Sequence, residues 1–263
     1  MNEALVIVSG RGVTMEYCSH SNEWALLGEF DQMLTNYAVV ADEHHIFILG
    51  GRRGSERLNS VCLLDTFTME LVELVGMKNT RTSPGAVMMN GTLYAVGCEE
   101  LHRSSVERLN FSMKDLEWES VAKMNDYRCR LGVVAQDHLL YAVGGFDSFN
   151  NRYLSSTEKY DPFSDVWKMV APMNVARSDF GIAAMKGFIY VVGGQKDDLS
   201  KTETVERYDP VEDKWTLVSH SFHPIQPIPF LTDSFTALLT EFGPKPHRCL
   251  RIPKQNFRGG RTF

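Results

Sequence analysis

Three arginines recur in one setting. Arg81, Arg128 and Arg177 each lie four residues after a methionine (Met77, Met124, Met173) and sixteen before a glycine (Gly97, Gly144, Gly193). A guanidinium is a planar fork of donors that fits a carboxylate. Such an arginine can hold an acidic partner or pair with an acid of its own chain. Glu107, Glu158 and Glu206 recur in step with it. Catalysis has little support. Among the eight histidines, His44 and His45 fall in a turn between strands, and His220, His223 and His247 fall near the C-terminus. None has a metal-like partner at useful spacing. There is no nucleophile elbow and no Cys–His pair. The expectation is a protein that is not an enzyme and takes no metal or cofactor.

Composition narrows the classes further. Hydrophobic content of 43% with 11% aromatic residues supports a packed core and excludes wholesale disorder. A net charge of −6 gives no general attraction to nucleic acid or membranes. No apolar run reaches the ~18 residues of a membrane span, and the N-terminal apolar run is too short for a signal peptide. Cysteines 18, 62, 98, 129 and 249 are odd in number and scattered, which reads as reduced thiols and a cytoplasmic location.

The elements that would carry these residues repeat. A glycine pair falls at Gly50–Gly51, Gly144–Gly145 and Gly193–Gly194, with Gly97–Cys98 in the same place. The step is 47 residues from Gly50 to Gly97 and from Gly97 to Gly144, and 49 from Gly144 to Gly193. Each period holds short apolar runs between turn signals and no helical periodicity, the pattern of about four strands per repeat. Two copies are clear. In each, the strand before the pair is followed by Thr157–Glu158 with Tyr160–Asp–Pro162, or Val205–Glu206 with Tyr208–Asp–Pro210. Trp167 and Trp215 come seven residues after the tyrosines. Blades are expected near residues 1–28, 30–75, 77–121, 124–170 and 173–218. The second copy has Leu34 where the arginine should be and Leu71 where the Trp should be. In the third, Trp118 comes two residues late, so its turn holds a small insertion. Asn90–Gly91 reads as a hairpin turn.

These marks resemble the kelch repeat, and more narrowly the kelch half of BTB-kelch ubiquitin-ligase adaptors, over residues 4–218. The resemblance implies an all-β fold: a β-propeller of four-stranded blades, about five of them recognisable, with the sixth divergent or missing. Gly50, Gly51, Gly97, Gly144, Gly145, Gly193 and Gly194, with Tyr160, Trp167, Tyr208 and Trp215, are then marks that hold the fold. In this family the first blade opens on its second strand and the chain's last strand returns to close it. Residues 219–263 lack the motifs, so a truncated or aberrant end is expected, with a degraded sixth blade as the alternative. An open blade edge would leave backbone groups unpaired.

The resemblance also implies a function: binding a protein partner at the face formed by the loops after the glycine pairs and by the inner-strand starts. By position that face offers Arg11, Arg52, Arg53, Glu99, Phe146, Asp147 and Gln195, and then Arg81, Ser83, Arg128, Arg130, Arg177 and Ser178. Seven of these are arginines, a trap for an acidic peptide with Phe146 as an apolar anchor. The alternative for Arg81, Arg128 and Arg177 is pairing with Glu107, Glu158 and Glu206 to tie neighbouring blades. Cullin would be recruited only through a BTB domain, which this sequence does not hold. Actin is the alternative partner. A kelch-type copper oxidase would need ligand loops and a further domain that the sequence does not show, and neither nucleic acid nor membrane is expected as a partner.

Overall fold

The computed structural model describes residues 2–9, 13–18, 23–29, 34–42, 44–66, 68, 70–100, 102–218 and 235–242. Every regular element among them is a β-strand. Five four-stranded antiparallel sheets form, here called blades 1 to 5. From inner to outer strand, blade 2 is Ala38–Ala41, His45–Leu49, Val61–Asp65 and Leu71–Glu73. Blade 3 is Gly85–Met89, Thr92–Val96, Val106–Asn110 and Trp118–Val121. Blade 4 is Gly132–Gln136, Leu139–Val143, Thr157–Asp161 and Val166–Val170. Blade 5 is Gly181–Met185, Phe188–Val192, Val205–Asp209 and Lys214–Val218.

Blade 1 corrects the expectation for the tail. Its second to fourth strands are Asn2–Ser9, Val13–Cys18 and Glu23–Glu29, but its inner strand is Phe235–Phe242. That strand runs antiparallel to Asn2–Ser9, with Leu239 opposite Leu5. A segment separated by more than 200 residues supplies the backbone partners that an open edge would lack, as strand pairing demands. The alternative of a degraded sixth blade falls on residues 219–234 and 243–263, outside the described residues. Neighbouring inner strands lie against one another in the order 235–242, 38–41, 85–89, 132–136 and 181–185.

Local sequence explains the strands. Asn90 and Gly91 both take positive φ (51° and 70°) and join Met89 to Thr92 in a two-residue hairpin. The longer turn before Trp118 is absorbed outside the ladder. Trp118 still pairs with Leu109, as Trp167 does with Tyr160 and Trp215 with Tyr208. The Asp-Pro turns close by side-chain capping: Asp161 and Asp209 accept hydrogen bonds from the amides of Phe163 and Val211, at 2.9 Å each.

Between blades lie apolar layers in which one blade's Tyr and Trp meet the preceding sheet. Leu140, Ala142, Tyr160 and Trp167 of blade 4 pack on Val87, Met89, Tyr94 and Val96 of blade 3. Ile189, Val191, Tyr208 and Trp215 repeat this on blade 4. Trp118, Trp167 and Trp215 also donate their indole N–H to the carbonyls of Val75, Ala122 and Ala171, just past the preceding blade (2.9, 2.9 and 3.0 Å). Each Trp therefore contributes area and one directed bond.

The glycine marks are needed where blades approach closely. Gly97 has φ +69°, and a Cβ there would stand 2.3 Å from the Arg128 carbonyl oxygen of the next blade. Gly97→Ala is expected to lower stability by about 1–3 kcal/mol from the backbone strain alone, more with the clash. A lower denaturant midpoint at unchanged slope would show this, and an unchanged midpoint would contradict it.

Candidate binding face

The three recurrent arginines are not on the surface. Arg81, Arg128 and Arg177 are each 0% exposed, and so are Glu107, Glu158 and Glu206. The pairs meet at 2.8, 3.0 and 2.6 Å. Each guanidinium also donates to two carbonyls of its own blade: Gly97 and Ser105, Gly144 and Ser156, Gly193 and Thr204. Each glutamate accepts from backbone amides of the preceding connection: Lys78 and Asn79, Asn125 and Asp126, Asn174 and Val175. Burial pulls Arg128 and Arg177 below their ordinary value, and the paired glutamates oppose it. The expected role as partner-binding arginines is therefore corrected for these three. Their forks are used up inside the blade.

The alternative role needs a correction of its own. The ion pair lies within one blade. The tie to the neighbour runs through the arginine backbone: Arg81 and Arg177 donate their amides to Leu58 and Leu154 of the preceding hairpin (3.0 and 3.1 Å), and their carbonyls accept from Gly51 and Gly145 (2.7 and 2.9 Å). Removing one member of a buried pair leaves a stranded charge. Arg128→Ala or Glu158→Ala is expected to cost about 3–5 kcal/mol. Chemical denaturation of either variant measures this, and a loss under about 1 kcal/mol would contradict the pairing.

Of the remaining candidates, Arg11 lies outside the described residues. Ser178 is also 0% exposed, bridged to Gln195 and bonded to Asp179 at 2.6 Å. This corrects its expected place on the surface. Arg52 lies 3.7 Å from Glu100, which Arg57 also contacts, while Arg53 is exposed and Ser83 half-buried. The acids after Gly97, Glu99 and Glu100, thus offset the arginines, and the face carries both signs of charge.

What the structure gathers instead is an aromatic ridge across blades 3 and 4. Arg130 pairs with Glu99 at 2.5 Å and stacks over Phe146, 5.8 Å from the ring centre. Phe146 meets Tyr153 edge-on at 5.1 Å. At the hairpin tip, Phe149 is 66% exposed and stands edge-on to Tyr127, itself 43% exposed, at 5.8 Å. The Arg103 guanidinium lies 5.5 Å from the Phe149 ring centre, held by the Ser148 hydroxyl at 3.1 Å. Tyr127, Phe149 and Arg103 were missed from sequence. The available signal was a lone Phe among turn-formers (Asp147, Ser148, Asn150, Asn151), where no core can enclose it.

The tip is held in place from below. Asp147, nearly fully buried, accepts from the amides of Phe149 and Asn150 and from the side chains of Asn150 and Arg152. Burial pushes its carboxyl up, but these bonds outweigh it and hold it below its ordinary value of 3.8. With the folded value depressed, the support is complete above the unfolded value and is lost as pH falls through the folded one. Amide exchange at Phe149 and Asn150 is expected to quicken in that acid range before the blades unfold. Exchange that changes only with global unfolding would count against it.

Comparison with known proteins agrees with the geometry. A family model for the kelch motif matches residues 127–174 and 176–220, which span blades 4 and 5. These two segments carry kelch motifs. It is similar to mouse Kelch-like protein 35, 36% identical over 162 residues that cover 62% of this chain and 26% of that protein. It is also similar to Kelch-like protein 40 of Xenopus laevis, 25% identical over 137 residues (51% and 22%), and to Kelch-like protein 41a of zebrafish, Danio rerio, 24% identical over 145 residues (54% and 24%). The chain thus spans about a quarter of the length of these relatives. Kelch motifs and Kelch-like relatives support reading the chain as a protein-interaction module.

Proposed function

We propose that the chain binds a protein partner, rather than catalysing a reaction, on the ridge formed by Tyr127, Phe149 and Arg103, as the substrate-recognition part of a ubiquitin-ligase adaptor. The observation that carries this reading is the exposure of Phe149 on a hairpin tip pinned by Asp147. A large aromatic side chain presented rigidly to solvent serves no packing purpose within the blade. It is the usual energetic centre of a protein interface. Arg103 beside it, with Arg130 and Arg53 further along, suits a partner segment in which an acidic residue adjoins an apolar one. Recruitment of cullin would need a BTB domain supplied elsewhere.

Affinity purification with Phe149→Ala and Tyr127→Ala variants tests this. Both side chains are exposed, so folding is expected to persist, while partner recovery falls with a loss of about 2 kcal/mol or more at Phe149. Undiminished recovery with both variants would move the site elsewhere. Co-sedimentation with actin filaments would replace the adaptor reading with a cytoskeletal one.

A further inference from the structure

The strands of blades 2 to 5 turn at two ends. The glycine pairs and the aromatic ridge lie at one. At the other lie the hairpins from inner to second strand and the turns from third to outer strand. These are residues 42–44, 65–70, 90–91, 110–117, 137–138, 161–165, 186–187 and 209–213. Among the described residues of these turns, eleven are Asp or Glu and two are Lys. The frame accounts for some of the acids. Asp161 and Asp209 cap their turns, and Asp165 and Asp213 hold Tyr160 and Tyr208. It does not account for Asp115, Asp137 and Glu212, which are exposed. Set among the acids are large apolar side chains. Phe163 is 100% exposed, Val211 95% and Met113 56%, each in the third-to-outer turn of its blade. Phe163 and Val211 hold the same place, directly after Asp-Pro. Carboxylates interleaved with apolar groups complement a segment that is basic and apolar.

The sequence holds a segment of that kind. Residues 243–263 contain six Lys or Arg and no Asp or Glu, with Leu250, Ile252 and Phe257 set between the charges. The fold delivers this segment to the acidic end. Phe235–Phe242 starts opposite Ser9, at the glycine-pair end, and finishes opposite Asn2, at the other. It lies beside the inner strand of blade 2, which runs the same way toward Asp42. The chain therefore leaves Phe242 among the acidic turns. The following residues span up to about 70 Å when extended, enough to cross several blades. The stretch 219–234 differs in both respects. It leaves Val218, opposite Val205, and returns to Phe235, so both its ends are at the glycine-pair end. It also contains no Lys or Arg.

We propose that residues 243–263 dock along the acidic turns of their own chain. Their guanidinium and ammonium groups meet the exposed carboxylates, and their apolar side chains meet Met113, Phe163 and Val211. Guanidinium forks suit carboxylates. Attachment to the same chain decides between this segment and that of a second copy. A short link gives an effective concentration on the order of mM, above that of any second copy in dilute solution. Each exposed ion pair contributes little alone and is screened by salt. The docking is therefore the sum of many weak contacts, and raised ionic strength releases it.

Limited trypsin digestion of the full chain at Arg248, Arg251 and Arg258 is the test, with a free peptide of residues 243–263 as the reference rate. Relative to that peptide, cleavage is expected to be slow at low salt. It should quicken at least about tenfold at about 1 M salt, where charges are screened within ~3 Å. Asp115→Asn, Asp137→Asn and Glu212→Gln together should give the same gain at low salt, with the circular dichroism and melting of the parent. Asp197→Asn, exposed at the glycine-pair end, should change nothing. Carbodiimide coupling of an equal mixture of isotope-labelled and unlabelled chain should join Lys245 or Lys254 to the acidic turns within one chain. A segment cut as fast as the free peptide at low salt, or indifferent to the triple variant, overturns the proposal. Links of mixed isotope overturn it too, by placing a second copy on these turns.

Discussion

The buried pairing of arginine with glutamate is the constraint on which blades 3 to 5 depend. Two charges removed from water are tolerated only when each is fully engaged. Here the guanidinium meets the carboxylate and two carbonyls, and the carboxylate gathers the amides of the incoming connection. The pair thereby fixes the path by which the chain enters a blade. The backbone of the same arginine is bonded to the preceding blade, so one residue sets the relative position of both. Blade 2 shows what happens without it. Leu34 stands for the arginine and Cys62 for the glutamate, and the two lie in one apolar cluster with Val39 and Ile46. Both charges have gone together, the replacement that costs least in a buried site. Burial pushes the Cys62 thiol up to about 11, in keeping with a packing role.

Apolar stacking completes what the ion pairs begin. Tyr160 and Tyr208 stack on Trp167 and Trp215 at 5.0 and 5.2 Å, and their hydroxyls donate to Asp165 and Asp213. The same aspartates accept from the amides of Ala122 and Ala171 in the preceding connection (2.9 and 2.8 Å). Polar and apolar contacts thus share one interface, and a frame held from hub to rim leaves the loops free to vary. The ridge at Tyr127 and Phe149 is built on those loops, and Asp147 gives a loop tip the rigidity of the frame.

Much of the frame was legible in the residues alone. The glycine pairs, the Asp-Pro turns and the Tyr–Trp spacing each act through backbone angles or a strand register, and both are local. The site was less legible. The seven arginines looked alike as a set, but three are interior, and Arg52 and Arg130 face Glu100 and Glu99. One clue to the pairing was present: the copy without the arginine also lacks the glutamate. Phe149 was overlooked because it stands outside every repeating position.

The sequence by itself determined the repeat, its strands and the turns between them, because periodicity and turn chemistry are properties of neighbours in the chain. Only the tertiary structure decided which arginines are enclosed and which strand completes blade 1. Those outcomes depend on burial and on pairing between distant segments. A guanidinium has the same chemistry whether the next sheet covers it or water does. Phe235–Phe242 carries no mark of the blade it joins until Asn2–Ser9 lies beside it with its backbone groups unpaired.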